Sequence, residues 1–443
     1  MKVFSRGAVA AVFYAFLIVL PLAVGVIEHP RDAARPMTLD LAVAAGYAGL
    51  AIMAFEFSLV SRLTFASSAF GQDALQRFHR RMGLAAAGLV LLHPALLFVN
   101  GYSVDTLLNP FNDNPAAFKW GTCALYALLS LVILAVARKR LHLSYEWWQR
   151  THALLATAAV GGGLFHIYGI ANYTGSKAMK LVWAVYAAGL AGLTIRYRLM
   201  MPISRWRRPW EVVRNIPEFG NSRTLVLRPV DHPGIRFEPG QFAWLLTGKT
   251  PFAFEEHPIS FSSVADAPAG GEVSFTIKGL GDWSGERVPR IKPGDRVWLD
   301  GPYGVFSPDR EPGPGYVLVG GGVGITPLYS ILRTLIERGD SRPVILFYGA
   351  KDWEDLTFRE ELQALAERPN VKIVYVLENA PPGRPNEKGY ITTDILRRHL
   401  PEGFERFQYF VCGPAALMDL LERLLPEIGV PAERIHTERF DFV

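Results

Sequence analysis

The sequence predicts a multi-domain chain: a six-helix transmembrane bundle, then a small antiparallel β-barrel domain, then a parallel-sheet α/β domain. Three observations predict it. Half of the 443 residues are hydrophobic and the mean hydropathy is +0.17, high for a soluble protein. Before residue 200 the apolar residues come in long runs, whereas after it they alternate with Gly, Pro and charges. Near residue 315 the pattern changes again, from short alternating strands to strand, glycine turn and helix. The expected boundaries are 1–204, 205–312 and 313–443, with the basic linker ISRWRRPW (203–210) leaving the membrane part.

Six apolar runs approach the roughly 20 residues needed to cross a hydrocarbon core: 7–27, 39–61, 77–99, 118–137, 149–170 and 178–197. The first follows Lys2 and Arg6, as a signal peptide would, but it is too long for a signal-peptide core and no clean small-residue cleavage site follows, so it reads as a span. One set of alternate loops holds Arg62, Arg77, Arg80, Arg81, Arg138, Lys139, Arg140, Arg150, Arg196, Arg198, Arg205, Arg207 and Arg208. The other holds only Arg31, Arg35, Lys119 and Lys177. The positive-inside rule then puts the N-terminus and the soluble half in the cytoplasm of a multi-pass protein of the bacterial inner-membrane type. The lipid bilayer accounts for the net charge of +5, so no nucleic-acid partner is needed. Glu56 reads as a carboxylate snorkelling to the surface, and His29 and His142 as solvated loop residues. The two cysteines, Cys123 and Cys412, lie in different halves and make no disulfide framework.

The third run, FHRRMGLAAAGLVLLHP (78–94), has His79 at one end and His93 at the other. The fifth contains His152 and His166 at the same spacing of 14 residues. On a helix this step falls about 40° short of four turns and rises about 21 Å, so each span presents two imidazoles on nearly one face. The two spans run in the same direction, which pairs His79 with His152 near the cytoplasm and His93 with His166 near the outside. Facing imidazoles are an axial ligand set for haem iron, and two levels make a ladder of two b-type haems. No CxxCH occurs, so such haems would be held by ligation and contact alone. Arg80, Arg81 and Arg150 flank the inner level, where they anchor the span or neutralise propionates. Gly161, Gly162 and Gly163 leave room for a macrocycle or for close helix contact. A remote alternative is a transporter with protonatable histidines and a nucleotide-sensing domain.

In the soluble half, RTLVLRP (223–229), PGQFAWLL (239–246), EVSFTIKG (272–279) and DRVWLDGPYG (295–304) read as strands of the barrel. GYVLVGGGVGITPLYSILRTLIE, followed by PVILFYGA (343–350) and VKIVYVL (371–377), reads as a parallel nucleotide-binding sheet. The turn formed by Gly320, Gly321, Gly322, Val323, Gly324, Ile325, Thr326 and Pro327 suits a pyrophosphate at a helix start, because glycines let backbone amides approach it.

Taken in order, HPISFSS (257–263), GDWS (281–284), DGPYG (300–304), GGGVGITP (320–327) and YFVCGP (409–414) resemble the ferredoxin-NADP reductase type module. With the paired histidines and LSYEWWQRTH before the fifth run, nearly the whole chain resembles the ferric reductase and NADPH oxidase superfamily. The resemblance implies an enzyme that takes electrons from NADPH, or alternatively NADH, through FAD and two haem b groups. His257, Pro258, Ile259 and Ser260 would lie along FAD, helped by Ser263, with His257 where relatives often carry an Arg near the pyrophosphate. Gly281, Trp283 and Ser284 would approach the FAD phosphates. The glycine turn would hold the nicotinamide cofactor, with Thr326 near the nicotinamide, and Cys412, Gly413 and Pro414 would border the hydride-transfer site. A terminal aromatic would cover the flavin; Phe440 and Phe442 both qualify, and Phe440 is favoured because it follows Glu438 and Arg439. Lys351, with Arg384 as a second partner, would suit the 2′-phosphate of NADPH.

The acceptor stays open. In the oxidase branch a second histidine four residues after the outer ligand, with an arginine from the second span, polarises oxygen. Here Leu97 takes that place, and TLDLAVAAGYAGL contains no arginine. Oxygen giving superoxide, a ferric chelate, and a periplasmic protein or quinone-type acceptor are the alternatives.

Overall fold

The computed structural model describes residues 2–30, 34–62, 70–253, 255–383 and 386–439. It divides into two compact units, Met1–Pro202 and Ile203–Val443.

Among the described residues the first unit has six long helices: α1 (Lys2–Glu28), α2 (Met37–Val60), α3 (Gln72–Val99), α4 (Ala116–Ala137), α5 (Tyr145–Gly169) and α6 (Lys177–Ile195). Hydroxyl caps set two of the starts. Ser144 accepts the Trp147 amide at the head of α5, and Ser176 accepts the Met179 amide at the head of α6. Among the described residues, five helical segments are long and apolar enough to cross a membrane, on α1, α2, α3, α4 and the helix beginning with α6. The remaining long helix, α5, has 25 residues, about 37 Å of rise, and is long enough. Its two histidines, its threonines and its three consecutive glycines lower its hydropathy below that of the others.

Two antiparallel pairs, α2 with α3 and α4 with α5, dominate the unit. Small residues let the backbones approach, because in lipid close contact rather than water exclusion holds helices together. A Cβ on Gly49 of α2 would lie 2.7 Å from Val90 Cγ2, and one on Gly169 of α5 would lie 2.4 Å from Ala117 Cβ. Beside these pairs, Tyr47, Leu50, Met179 and Trp183 form an apolar cluster, and the Tyr47 hydroxyl donates to the Tyr173 carbonyl at 2.9 Å. His142 is exposed as expected. His29 differs from expectation: its ring lies edge-on to Tyr173 at 5.8 Å and its Nε2 is buried, because the loop after α1 folds against the segment after α5.

The second unit contains two six-stranded sheets. The antiparallel sheet comprises β1 (Trp210–Glu218), β2 (Ser222–Pro229), β3 (Phe242–Leu246), β4 (Glu256–Ser260), β5 (Val273–Lys278) and β6 (Arg296–Tyr303), in the order β4-β3-β6-β1-β2-β5. The bridge Phe261–Phe275 brings the outermost strands together at that point. Trp210, Val212, Leu225, Phe261 and Phe275 fill the core between them. Four strands match the expected ones to within a few residues. Two others had not been read as strands: β1, which starts in the linker, and β4, read only as a flavin-binding segment.

Linker residue Arg205, counted above among the cytoplasmic positive charges, is buried. It bonds Glu256 at 2.8 Å and Asp300 at 2.5 Å, and Asp300 also accepts the Tyr303 hydroxyl at 3.0 Å. Guanidinium geometry suits this double engagement, which ties the chain entering the unit to β4 and β6.

The parallel sheet contains β7 (Tyr316–Gly321), β8 (Val344–Ala350), β9 (Val371–Leu377), β10 (Glu387–Lys388), β11 (Gln408–Cys412) and β12 (Ile435–Thr437), ordered β10-β9-β8-β7-β11-β12. Apolar clusters cover both of its faces, which explains the unbroken hydrophobic runs in β7 and β11. Helices α7 (Ile325–Glu337), α8 (Arg359–Leu365), α9 (Thr393–His399) and α10 (Ala415–Glu427) accompany it.

Candidate functional site

The first unit brings four histidines of α3 and α5 into two pairs. The ring centroids of His79 and His152 are 6.2 Å apart with planes at 68°, and those of His93 and His166 are 6.1 Å apart at 72°. A metal–imidazole bond is about 2 Å and a ring nitrogen lies just over 1 Å from its centre, so imidazoles on opposite faces of one metal have centroids about 6 Å apart. Each pair is therefore spaced as two imidazoles held by one metal would be. Among the described residues no group of three or more His, Cys, Asp or Glu side chains is arranged to hold a metal ion. A pair of trans imidazoles with no further protein donors suits a metal that brings its own equatorial ligands, as a porphyrin does.

The His93–His166 pair is oriented by one device used twice. His93 Nδ1 donates to the Ala42 carbonyl of α2 at 2.8 Å, and His166 Nδ1 donates to the Ala117 carbonyl of α4 at 2.8 Å. Four residues after each acceptor stands a glycine, Gly46 or Gly121. A Cβ there would approach the histidine Nδ1 to 3.1 Å or 2.6 Å. Missing side chains thus let each ring lie against the neighbouring helix, and donation through Nδ1 leaves Nε2 free to hold a metal. Around this pair is a cavity of about 160 Å³, lined among others by Gly46, Leu50, Leu97, Gly121 and Gly163.

The glycine run of α5 divides its work. Gly162 faces Ala124 and the Trp120 carbonyl of α4, Gly163 faces Leu50 and the cavity, and Gly161 has nothing within 4 Å of its Cβ position. At the His79–His152 pair, Glu56 of α2 is only 6% exposed and its carboxylate pairs with His79 Nδ1. This corrects the expected snorkelling carboxylate: the helix crossing points Glu56 inward. His152 lies against Trp148 with centroids 5.1 Å apart, and its Nδ1 has no hydrogen-bond partner among the described residues. Arg80, Arg81 and Arg150 are exposed at this end.

In the second unit, β4 carries His257, Pro258, Ile259 and Ser260. The His257 ring stacks on Trp283 of the GDWS turn at 3.7 Å and 16°, and Trp283 Nε1 donates to Thr247 at 2.9 Å. Burial pushes the His257 pKa down to about 4. The imidazole is therefore neutral near pH 7 and brings no positive charge to this place. Ser284 Oγ accepts the amides of Leu280 and Gly281 at 3.0 and 3.1 Å and so shapes its own turn. Ser263 Oγ accepts the Ser274 amide at 3.1 Å, while Ser260 is buried at the end of β4.

The two motifs of the parallel sheet meet. β7 and β11 are neighbours, with Gly320 opposite Cys412. Gly322 has φ +54°, open to glycine without strain. Gly324 has an ordinary φ of −61°, but a Cβ there would lie 2.2 Å from the Cys412 carbonyl oxygen and 2.6 Å from the Gly413 nitrogen. Pro414 and Leu417 crowd Gly321 in the same way. Thr326 is buried at the start of α7, next to Pro327, and its hydroxyl has no partner among the described residues. The Cys412 thiol is fully buried and pushed well above its ordinary pKa, by burial first and by Glu438 second, so it stays protonated. Lys351 is exposed directly after β8, the strand beside β7. Phe440, Phe442 and Arg384 lie outside the described residues.

Two residues escaped sequence reasoning. Glu438 is buried beside Cys412, and a Cβ on Gly304 would lie 2.9 Å from its Oε1, so it stands between DGPYG and YFVCGP. Lys278 Nζ is 4.0 Å from the Cβ position of Gly322. A charged residue ending an apolar strand just before a glycine, as in TIKG, was the available signal for Lys278.

Comparisons with known proteins give two family matches. Residues 45–163, which include His79, His93 and His152, match the ferric reductase like transmembrane component. Residues 318–423, which include the glycine turn and Cys412, match the oxidoreductase NAD-binding domain. The reductase component of propane 2-monooxygenase from Rhodococcus jostii is 32% identical over 225 residues, covering 49% of this chain and 59% of that protein. The flavohemoprotein of Deinococcus radiodurans is 32% identical over 246 residues, covering 53% of this chain and 60% of that protein. These matches thus span well under two thirds of each relative. Among solved structures, the flavohem-like FAD/NAD binding domain of nitric oxide dioxygenase from Vibrio cholerae has 26% identity and a TM-score of 0.46, covering 53% of this chain and 98% of that one. The chain thus joins a segment that matches the ferric reductase like transmembrane component to one that matches the oxidoreductase NAD-binding domain.

Proposed function

We propose that the chain carries electrons from cytoplasmic NADPH across the membrane to an acceptor on the far side, with FAD and two b-type haems as its bound groups. The observation that carries this reading is the pair of imidazole pairs, 6.2 and 6.1 Å apart, at two depths of the same two helices. On this reading α5 is a sixth span, its low hydropathy being the consequence of the ligands it holds. The bound groups supply the redox chemistry, a flavin taking an electron pair and haem irons taking one electron each. The residues do the rest. His79 and His152 hold the inner haem, and His93 and His166 hold the outer one. Residues 205–312 form the flavin domain, where His257, Pro258, Ile259, Ser260, Gly281 and Ser284 line the FAD site and Trp283 fixes the His257 ring. Residues 313–443 form the nicotinamide domain. There the turn from Gly320 to Pro327 takes the pyrophosphate, Thr326 offers its unpaired hydroxyl, and the protonated Cys412 borders the transfer site with Gly413 and Pro414. Phe440 or Phe442 covers the flavin. The positive-inside distribution of Lys and Arg puts both soluble domains in the cytoplasm.

The outer cavity is lined by Leu97 where an oxygen-polarising histidine would stand. This favours a ferric chelate, or a periplasmic protein or quinone-type acceptor, over a dedicated oxygen site that releases superoxide. Purified protein given NADPH without air is expected to show the Soret and α-band changes of b-type haem reduction, and absence of any Soret band overturns the reading. In air, cytochrome c reduction is expected to persist when superoxide dismutase is added; complete inhibition would return the oxidase reading.

Lys351 bears on the choice of nicotinamide. In Lys351→Ala, KM is expected to rise for NADPH by about 5- to 10-fold, the loss of one exposed charge-assisted contact of about 1 kcal/mol, and to stay unchanged for NADH. Equal effects on both cofactors would remove Lys351 from the 2′-phosphate site.

A further inference from the structure

The two imidazole pairs differ in what stands behind them. At the outer level both histidines donate to neutral backbone carbonyls, those of Ala42 and Ala117. Glu56 stands fourteen residues after Ala42 on α2, and His79 fourteen before His93 on α3, so the antiparallel crossing that joins His93 to Ala42 also brings His79 to Glu56. On the matching pair of helices the residue fourteen after Ala117 is Leu131, and His152 Nδ1 has no partner among the described residues. One of the four histidines is therefore backed by a buried carboxylate, and it belongs to the inner level. An ionisable side chain at such a depth is costly and persists where it has a task.

We propose that Glu56 is a positioning residue that sets the direction of the ladder, lowering the midpoint potential of the inner haem below that of the outer one through His79. The inference rests on the haem reading above. A carboxylate that accepts the Nδ1 proton fixes the ring orientation and makes Nε2 a more basic ligand, which favours ferric over ferrous iron. A carbonyl does the same more weakly because it is neutral. With the nicotinamide side on the cytoplasmic face, the lower potential lies nearer the donor, so the single electron each iron exchanges moves outward downhill.

The test is a spectroelectrochemical titration of wild-type protein, Glu56→Gln and Glu56→Asp, each also in a His166→Ala background that leaves only the inner haem. Glu56→Gln keeps the size and an acceptor oxygen but removes the charge. Its inner midpoint is expected to rise by an amount equivalent to about a tenfold change in the one-electron equilibrium constant, roughly 59 mV, while the outer midpoint stays put. Glu56→Asp, which draws the charge back by one methylene, is expected to shift the inner midpoint in the same direction by less. An unchanged inner midpoint in Glu56→Gln with haem retained overturns the proposal, as does a shift confined to the outer haem. If Glu56→Gln cannot hold the inner haem, an unshifted midpoint in Glu56→Asp overturns it. A wild-type protein without a Soret band would instead sink the haem reading beneath it. A merely structural tie between α2 and α3 would change haem content or thermal stability and leave the midpoint of the retained haem where it was.

Discussion

His166→Ala is expected to purify with one haem per chain in place of two, with flavin retained and electron delivery to outside acceptors reduced more than about 100-fold. Loss of an outer-shell partner alone costs about 10- to 100-fold in metal affinity, and here a ligand itself is removed. His166 faces His93 at 6.1 Å and is oriented by the Ala117 carbonyl, with Gly121 leaving the room its ring needs. Its removal leaves the inner pair whole, because His79 and His152 lie fourteen residues further along the same helices. NADPH-dependent reduction of ferricyanide, which soluble flavoprotein domains perform by themselves, is expected to be unchanged. Haem per chain by pyridine haemochrome, flavin by fluorescence and the two activities together make the check. Two haems in both His166→Ala and His93→Ala would dismantle the ladder.

Gly324→Ala is expected to lower kcat/KM for NADPH about 10- to 100-fold, with FAD content and both haems unaffected. The obstacle is space, not conformation. Gly324 has a φ any residue adopts, but its Cβ would stand 2.2 Å from the Cys412 carbonyl oxygen and 2.6 Å from the Gly413 nitrogen, both backbone atoms that no rotamer change can move aside. Overpacking of this kind typically costs about 1–3 kcal/mol, and here relief requires the glycine turn and the Cys412–Gly413 segment to separate. Those are the two pieces proposed to hold the pyrophosphate and to border the transfer site. Steady-state kinetics with NADPH, read beside flavin absorbance, checks it. An unchanged kcat/KM would mean that the nicotinamide cofactor binds elsewhere.

Local periodicity explains what could be read without coordinates. The fourteen-residue spacing of His79–His93 and His152–His166 is a property of one helix at a time, and so is the apolar length of each run. Alternation in EVSFTIKG, and the unbroken runs in RTLVLRP, PVILFYGA and VKIVYVL, likewise reported β5, β2, β8 and β9 because strand burial repeats every second residue or not at all. The glycine turn was legible for the same reason, as a short motif between strand and helix. Strand β4 was missed as a strand because HPIS carries a proline and a charge-capable ring within a stretch of five.

Sequence alone thus determined which helices carry imidazoles, how far apart along each helix, and where strands β2, β3, β5, β6, β7, β8 and β9 lie, since those are short-range consequences of helix and strand geometry. Only the tertiary structure decided what stands behind each functional side chain. Glu56 turned inward to His79, Gly46 and Gly121 opened the way for His93 and His166, Trp283 covered a neutral His257, and Glu438 reached Cys412. Each of these is a contact between separate elements, set by the depth and angle at which two helices cross or two strands align, and the residue pattern of either element by itself contains neither quantity.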